Sequence, residues 1–148
     1  MPIVRSRGAT WFTVAVQALA RLAHSDAPCS SSEMAPDLQS HAVFLRRVLA
    51  QLGRAGLIRA REGRAGGYLL ARSPEEITLA EVYQAVRTLD VSDGVEGACD
   101  ASTPVLTALD EIEAEAERAW LESLARVSLA DLLHRAAAGA TTPGVYAR

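Results

Sequence analysis

No lysine occurs in this chain: all fifteen of its basic residues are arginine, the mark of a GC-rich coding bias. Cysteine is nearly as scarce. Cys29 and Cys99 cannot build a disulfide framework and supply too few thiolates for a Cys-only metal centre, so a reducing compartment is expected. Long apolar runs are missing as well. The stretch at the amino terminus, "MPIVRSRGATWFTVAVQALARLAH", is interrupted by Thr13, Gln17 and Arg21, and no small-residue cleavage site follows it. A cytoplasmic protein without a membrane partner is the expectation. The sequence also holds no P-loop, no paired acid and base, and no nucleophile motif. Its three histidines, His24, His41 and His134, lie in separate helices and form no metal-ligand spacing with Cys99. These absences argue against an enzyme and against a bound metal.

What is present is a core and an uneven charge. With 148 residues, 49% of them hydrophobic, the chain can bury the core of one domain or two small lobes. The net charge of −3 hides two halves. From Met1 to Arg72 ten arginines face only Asp26, Glu33, Asp37 and Glu62, about +6, whereas Ser73 to Arg148 sets five arginines against fourteen acids, about −9. A positive lobe is what neutralises phosphates, while an acidic lobe keeps the remainder soluble.

The apolar positions Phe12, Val16, Leu19, Leu22 and Ala23 predict a first amphipathic helix over Thr10 to Ala23. "SDAPCSS" ends it. Ser30 with Glu33 is a capping box that opens a short second helix closing near Gln39. Ser40 is then expected to cap a third helix, in which Leu45, Val48, Leu49 and Leu52 face the core. Its opposite face carries Ser40, Val43, Arg47, Ala50 and Arg54, flanked by Phe44 and Arg46. Two short helices joined tightly, the second exposing arginines, predict a helix-turn-helix.

The next stretch, "GLIRAREGRAGGYLLA", predicts a β-hairpin wing. Alternation in "LIRAR" puts Ile58 and Ala60 on one face and Arg59 and Arg61 on the other. Gly63, Gly66 and Gly67 allow positive φ and close backbone approach at the tip beside Arg64. The expected contacts to double-stranded DNA are therefore Ser40, Val43, Phe44, Arg46 and Arg47 from the third helix, with Arg59, Arg61 and Arg64 from the wing. An interaction or architectural winged helix without operator specificity is the alternative.

Thr78 with Glu81 caps a further helix running to about Val86, and a loop of some sixteen residues containing Cys99 follows. Thr103 and Pro104 then open a helix of more than twenty residues, with Val105, Leu109, Ile112, Ala116, Ala119 and Trp120 along one face. So small a lobe covers such a helix poorly. A second copy is the cheapest partner, so a homodimer through Leu109, Ile112, Ala116 and Trp120 is expected, presenting two reading heads to a pseudo-palindromic site. Ser128 and Asp131 cap a last short helix, and a flexible tail is expected from Ala136.

"SSSEMA", "FLRRVLAQLGRAGLI", "GRAGGYLLARSPEEITLAEVYQAV" and "SLADLL" together resemble the Rrf2 family of bacterial winged helix-turn-helix regulators, over about residues 8 to 135. The most specific part is the join of the L-R-R-x-L helix to the R-x-G-x-x-G-G-Y wing. The resemblance implies a mainly α fold with a small β-hairpin wing and a long carboxyl-terminal dimerisation helix. It divides the chain into a DNA-binding domain (1–76), a connecting helix and sensor loop (77–102), dimerisation helices (103–135) and a tail (136–148). It also implies transcriptional control, with repression expected, at a palindromic operator. Cluster-binding relatives place three cysteines in the loop where this chain has Cys99 alone, so the cluster-free branch is expected, with no cofactor. Cys99 is then a candidate sensor, and a thiol oxidant or a small ligand the candidate effector.

Overall fold

The computed structural model describes residues 9–91 and 103–139. It is mainly helical, in the order α1 (Ala9–Ala23), α2 (Ser31–Asp37), α3 (Ala42–Arg54), β1 (Ile58–Arg61), β2 (Gly67–Leu70), a 3-10 turn (Pro74–Glu76), α4 (Leu79–Val86), α5 (Thr88–Val91), α6 (Pro104–Ala125) and α7 (Leu129–Gly139). The first helix is more enclosed than its predicted stripe. Trp11, Val14, Ala15, Ala18, Leu19 and Leu22 are buried, whereas Phe12 and Val16 are half-buried. The reason is tertiary: α3, α4, β2 and α7 all pack against α1, so several of its faces lie inside at once.

Around α1 the core gathers Met34 from α2, Leu45, Val48, Leu49 and Leu52 from α3, Leu57, Ile77, Val82 and Leu129. Each side chain of this size, fully buried, contributes about 1.5–3 kcal/mol. The periodic leucines of α3 fall inside as their spacing requires. The start of that helix is shifted by one residue, since His41 rather than Ser40 occupies the N-cap and no side chain caps it.

The wing is a two-stranded antiparallel hairpin pairing Ile58 with Leu70, Arg59 with Leu69, Ala60 with Tyr68, and Arg61 with Gly67. A third partner joins it: Cys29 N–H donates to the Tyr68 carbonyl at 3.1 Å and Tyr68 N–H to the Cys29 carbonyl at 2.9 Å. Only Ile58 of β1 is buried. Ala60, which shares a face with Ile58 by alternation, is exposed with Arg59 and Arg61 because the hairpin projects past the core after its first residue.

Beyond the wing the chain clips back on itself. Leu79 N–H donates to the Val127 carbonyl at 2.9 Å and Leu129 N–H to the Ile77 carbonyl at 2.8 Å, around a Thr78–Ser128 bridge. The clip seats Leu129 in the main core, so α7 packs with the helix-turn-helix and runs to Gly139, three residues past the expected start of the tail. The expected sixteen-residue loop is also shorter at its front, where Thr88–Val91 form α5 and Leu89 is buried. Cys99 lies outside the described residues. Among those described, no helix is long and apolar enough to cross a membrane.

Candidate nucleic-acid interface

The turn between α2 and α3 is built from local chemistry. Ser30 accepts from Glu33 N–H through its hydroxyl, and the Glu33 carboxylate accepts from Ser30 N–H at 2.7 Å. Those bonds hold the Glu33 carboxyl below its ordinary pKa, the backbone bond from Ser30 first. At the other end Leu38 caps α2 and Gln39 enters the left-handed region with φ 48°. A glycine is the usual occupant of such a position, which is why the residue types did not announce the turn there. Ser40, half-buried, donates its N–H to the Ala35 carbonyl at 3.1 Å.

From that turn α3 emerges with Val43 69% exposed and with Arg46, Arg47, Ala50 and Arg54 at the surface. Phe44 does not join them. Its ring stacks on Trp11 with centroids 3.9 Å apart and planes 22° apart, so it is half-buried and serves α1–α3 packing instead of standing free for a thymine methyl. Arg47 lies over the same indole, its Cζ 5.3 Å from the ring centroid. Trp11 was missed as part of this face. Its signal in the sequence was a large aromatic on the first helix, one residue before the predicted stripe, indistinguishable there from ordinary core.

In the wing, Gly63 takes φ 109° and accepts from Gly66 N–H at 3.0 Å, which makes the tip that carries exposed Arg64. Gly66 does not take the expected positive φ. A side chain there would overlap the carbonyl oxygens of Arg61 and Gly63. The surface that Gly67 approaches closely is the chain's own Cys29 backbone. Cys29 is therefore a packing residue, 4% exposed, and burial raises its thiol pKa although the Arg21 charge opposes that.

Charge sorts the arginines into two sets. Arg21 pairs with Asp37 at 3.3 Å, Arg72 with Glu81 at 2.8 Å and Arg87 with Glu117 at 3.1 Å, each stapling two elements together. The other nine described arginines have no carboxylate partner among the described residues: Arg46, Arg47, Arg54, Arg59, Arg61 and Arg64 are gathered on α3 and the wing, whereas Arg118, Arg126 and Arg135 are scattered along α6 and α7 and the turn between them. An open cleft of about 600 Å³ between α3 and α5 is lined by Arg47, Ala50, Gln51, Arg54, Thr88 and Leu89.

The long helix behaves differently along its length. Its carboxyl-terminal half docks: Leu124 is buried, and Trp120 meets Phe12 and Tyr83 edge-to-face at 6.5 and 6.4 Å. Trp120 thus holds α6 to α1 and α4 within one chain, with 47% of its surface left open. The amino-terminal half stands clear. Val105, Leu109 and Ile112 are 75%, 46% and 63% exposed, and Ala116 is exposed as well. Thr103 occupies the expected N-cap of this helix without a side-chain bond.

A helix-turn-helix followed by a hairpin wing, with unpaired cations on both, is the architecture of a winged-helix DNA-binding regulator. The chain belongs to the Rrf2 family, described as iron-dependent transcriptional regulators, whose model matches residues 9–135. It is 30% identical over 113 residues to the Bacillus subtilis protein YwnA, which bears the name of a helix-turn-helix-type transcriptional regulator; the match spans 74% of this chain and 84% of that one. Its fold matches T. potens IscR with a TM-score of 0.65 at 25% identity, over 95% of this chain and 93% of that one. The cysteine regulator CymR of B. subtilis shares the fold at a TM-score of 0.60 and 24% identity, over 89% and 96% of the two chains. The family is one of regulators, and this protein is a DNA-binding transcriptional regulator and not an enzyme.

The family description raises the question of iron. Among the described residues no three of His, Cys, Asp or Glu come together as a metal-binding group, and Cys29 is buried and bonded into the wing. The whole chain has two cysteines. The residues present do not fit a cluster held by three cysteines of one chain.

Proposed function

We propose that the protein is a homodimeric repressor of the cluster-free kind, binding a pseudo-palindromic operator in the cytoplasm through two winged-helix heads. The observation that carries this reading is the set of six arginines left without carboxylate partners on α3 and the wing, where a polyanion completes them. Val43, Arg46 and Arg47 lie in the amino-terminal half of α3, with Ser40 in the turn just before it, the part of a recognition helix that meets base edges, and Arg59, Arg61 and Arg64 reach the flanking backbone or minor groove. The bare half of α6 supports the dimer. Val105, Leu109, Ile112 and Ala116 follow the alternating three- and four-residue spacing of a coiled-coil seam, and a second α6 covers it. The input is a thiol oxidant acting at Cys99 or a small ligand in the cleft between α3 and α5, since α5 immediately precedes the stretch of sequence that holds Cys99.

Binding to a duplex selected from random sequence tests this. If two heads engage about six to ten phosphates, log K falls against log salt with a slope of roughly −5 to −9. Arg47→Ala and Arg64→Ala each weaken binding. A flat salt dependence, or both variants binding like the parent, refutes the reading head.

A further inference from the structure

Trp11 belongs to the buried core, yet two residues of the reading helix rest on it. Its indole is 4% exposed, the Phe44 ring lies 3.9 Å away, and the Arg47 guanidinium sits 5.3 Å from the ring centroid. Phe44 and Arg47 are three positions apart, hence neighbours on one helix face. No carboxylate among the described residues competes for Arg47. An arginine free in solvent gives up most of its rotamers when it binds, whereas one already lying on a ring gives up fewer. The attraction uses the charge of the cation over the ring and leaves its N–H donors for a ligand.

We infer that Trp11 is a positioning residue for operator reading: Phe44 fixes the indole against α3, and the indole holds the Arg47 guanidinium in the direction in which it meets DNA. This rests on the reading that Arg47 contacts the operator. Residues of α1 then shape recognition without touching a base or phosphate, and Arg47→Lys is a poor replacement because an ammonium has no planar face to lay on the indole.

The test is a double-mutant cycle on the full chain, read as affinity for a duplex selected by the parent protein. Trp11→Leu is expected to weaken binding about two- to fivefold, the worth of an exposed cation–π contact, and Trp11→Phe to retain part of the loss. With Arg47 already Ala, neither change costs anything more. If Arg47→Ala binds like the parent, the reading of α3 is wrong and this proposal falls with it. If Arg47→Ala weakens binding while both Trp11 variants bind as well as the parent or better, the positioning role alone is overturned. A Trp11 cost that persists undiminished beside Arg47→Ala assigns Trp11 to the fold and also overturns it. Thermal unfolding is followed throughout. Should Trp11→Leu fail to fold, the Trp11→Phe cycle with Arg47→Lys decides the matter by the same non-additivity.

Discussion

Replacing Gly67 by alanine is the sharpest perturbation of the wing. A methyl at that position would lie 2.6 Å from the Cys29 carbonyl carbon, 2.7 Å from its oxygen and 2.9 Å from its nitrogen. These obstacles are backbone, so no side chain can swing aside. Relief requires β2 to move off Cys29, which breaks both hydrogen bonds between Cys29 and Tyr68. Overpacking of this kind costs about 1–3 kcal/mol, and each lost hydrogen bond about 0.5–1.5 kcal/mol. A total near 3 kcal/mol lowers the melting temperature of a chain this size by roughly 6–12 °C. Gly53→Ala is the matched control. Gly53 lies within α3 with nothing within 4 Å of an added methyl, so helix propensity alone acts and stability rises by about 0.5–1 kcal/mol. Thermal unfolding followed by circular dichroism reads both. Gly67→Ala melting within about 2 °C of the parent would show that Cys29 does not anchor the wing.

Ile112→Glu leaves the single chain folded, because Ile112 is 63% exposed there, but buries a charge at the proposed seam; light scattering is expected to show a monomer, with dimer affinity down at least about a hundredfold. A dimer as tight as the parent's sinks this interface. Glu81 takes bonds from Thr78 N–H and from Arg72, and these, the Thr78 backbone bond first, hold its pKa below the ordinary value of 4.5. Its stabilising contribution is complete above pH 4.5 and is lost as pH falls through the lower folded value, so Glu81→Gln is expected to flatten the acid limb of the melting-temperature profile. Parallel limbs for parent and variant would remove Glu81 from acid unfolding. Anaerobically purified protein is expected to hold no stoichiometric iron and still bind DNA, and Cys99→Ser to abolish any oxidant response while sparing a ligand response. Iron with sulfide in stoichiometric amounts, or an oxidant response unchanged in Cys99→Ser, contradicts those two expectations respectively.

Features closed by neighbours in the chain were legible in the sequence. The Ser30–Glu33, Thr78–Glu81 and Ser128–Asp131 caps form as their three-residue spacing says, because both partners of each bond lie within one turn. The leucine stripe of α3 and the two strands of the wing were equally local. Features set by distant segments were not. Phe44 was read as exposed because nothing in its own helix covers it; the cover comes from Trp11, on another helix. Alternation puts Ala60 on the face of Ile58 but says nothing about where the core ends, and Ala60 lies beyond it. Nothing beside Cys29 in the chain says where its burial comes from; the burial that raises its pKa comes with its packing against the wing. Gln39 carries the left-handed turn without the glycine that would have marked it.

The same distant packing ties recognition to assembly through two adjacent residues. Successive positions on a helix point about 100° apart, so Trp11 and Phe12 leave α1 in different directions. Trp11 meets α3 through Phe44 and Arg47, while Phe12 meets α4 through Tyr83 and α6 through Trp120. The Arg87–Glu117 pair, at 3.1 Å, fastens α4 to α6 beside that cluster. A close-packed contact resists sliding, so a tilt of α6 must either break the three-ring cluster or carry α1 with it. If α1 moves, the ring beneath Arg47 moves too. In the proposed dimer, the separation of the two heads would then be set at the rings of Phe12, Tyr83 and Trp120. Any signal that acts by re-aiming the heads has to work against the edge-to-face contacts there, each worth about 0.5–1.5 kcal/mol, a barrier small enough for a single bound ligand to overcome.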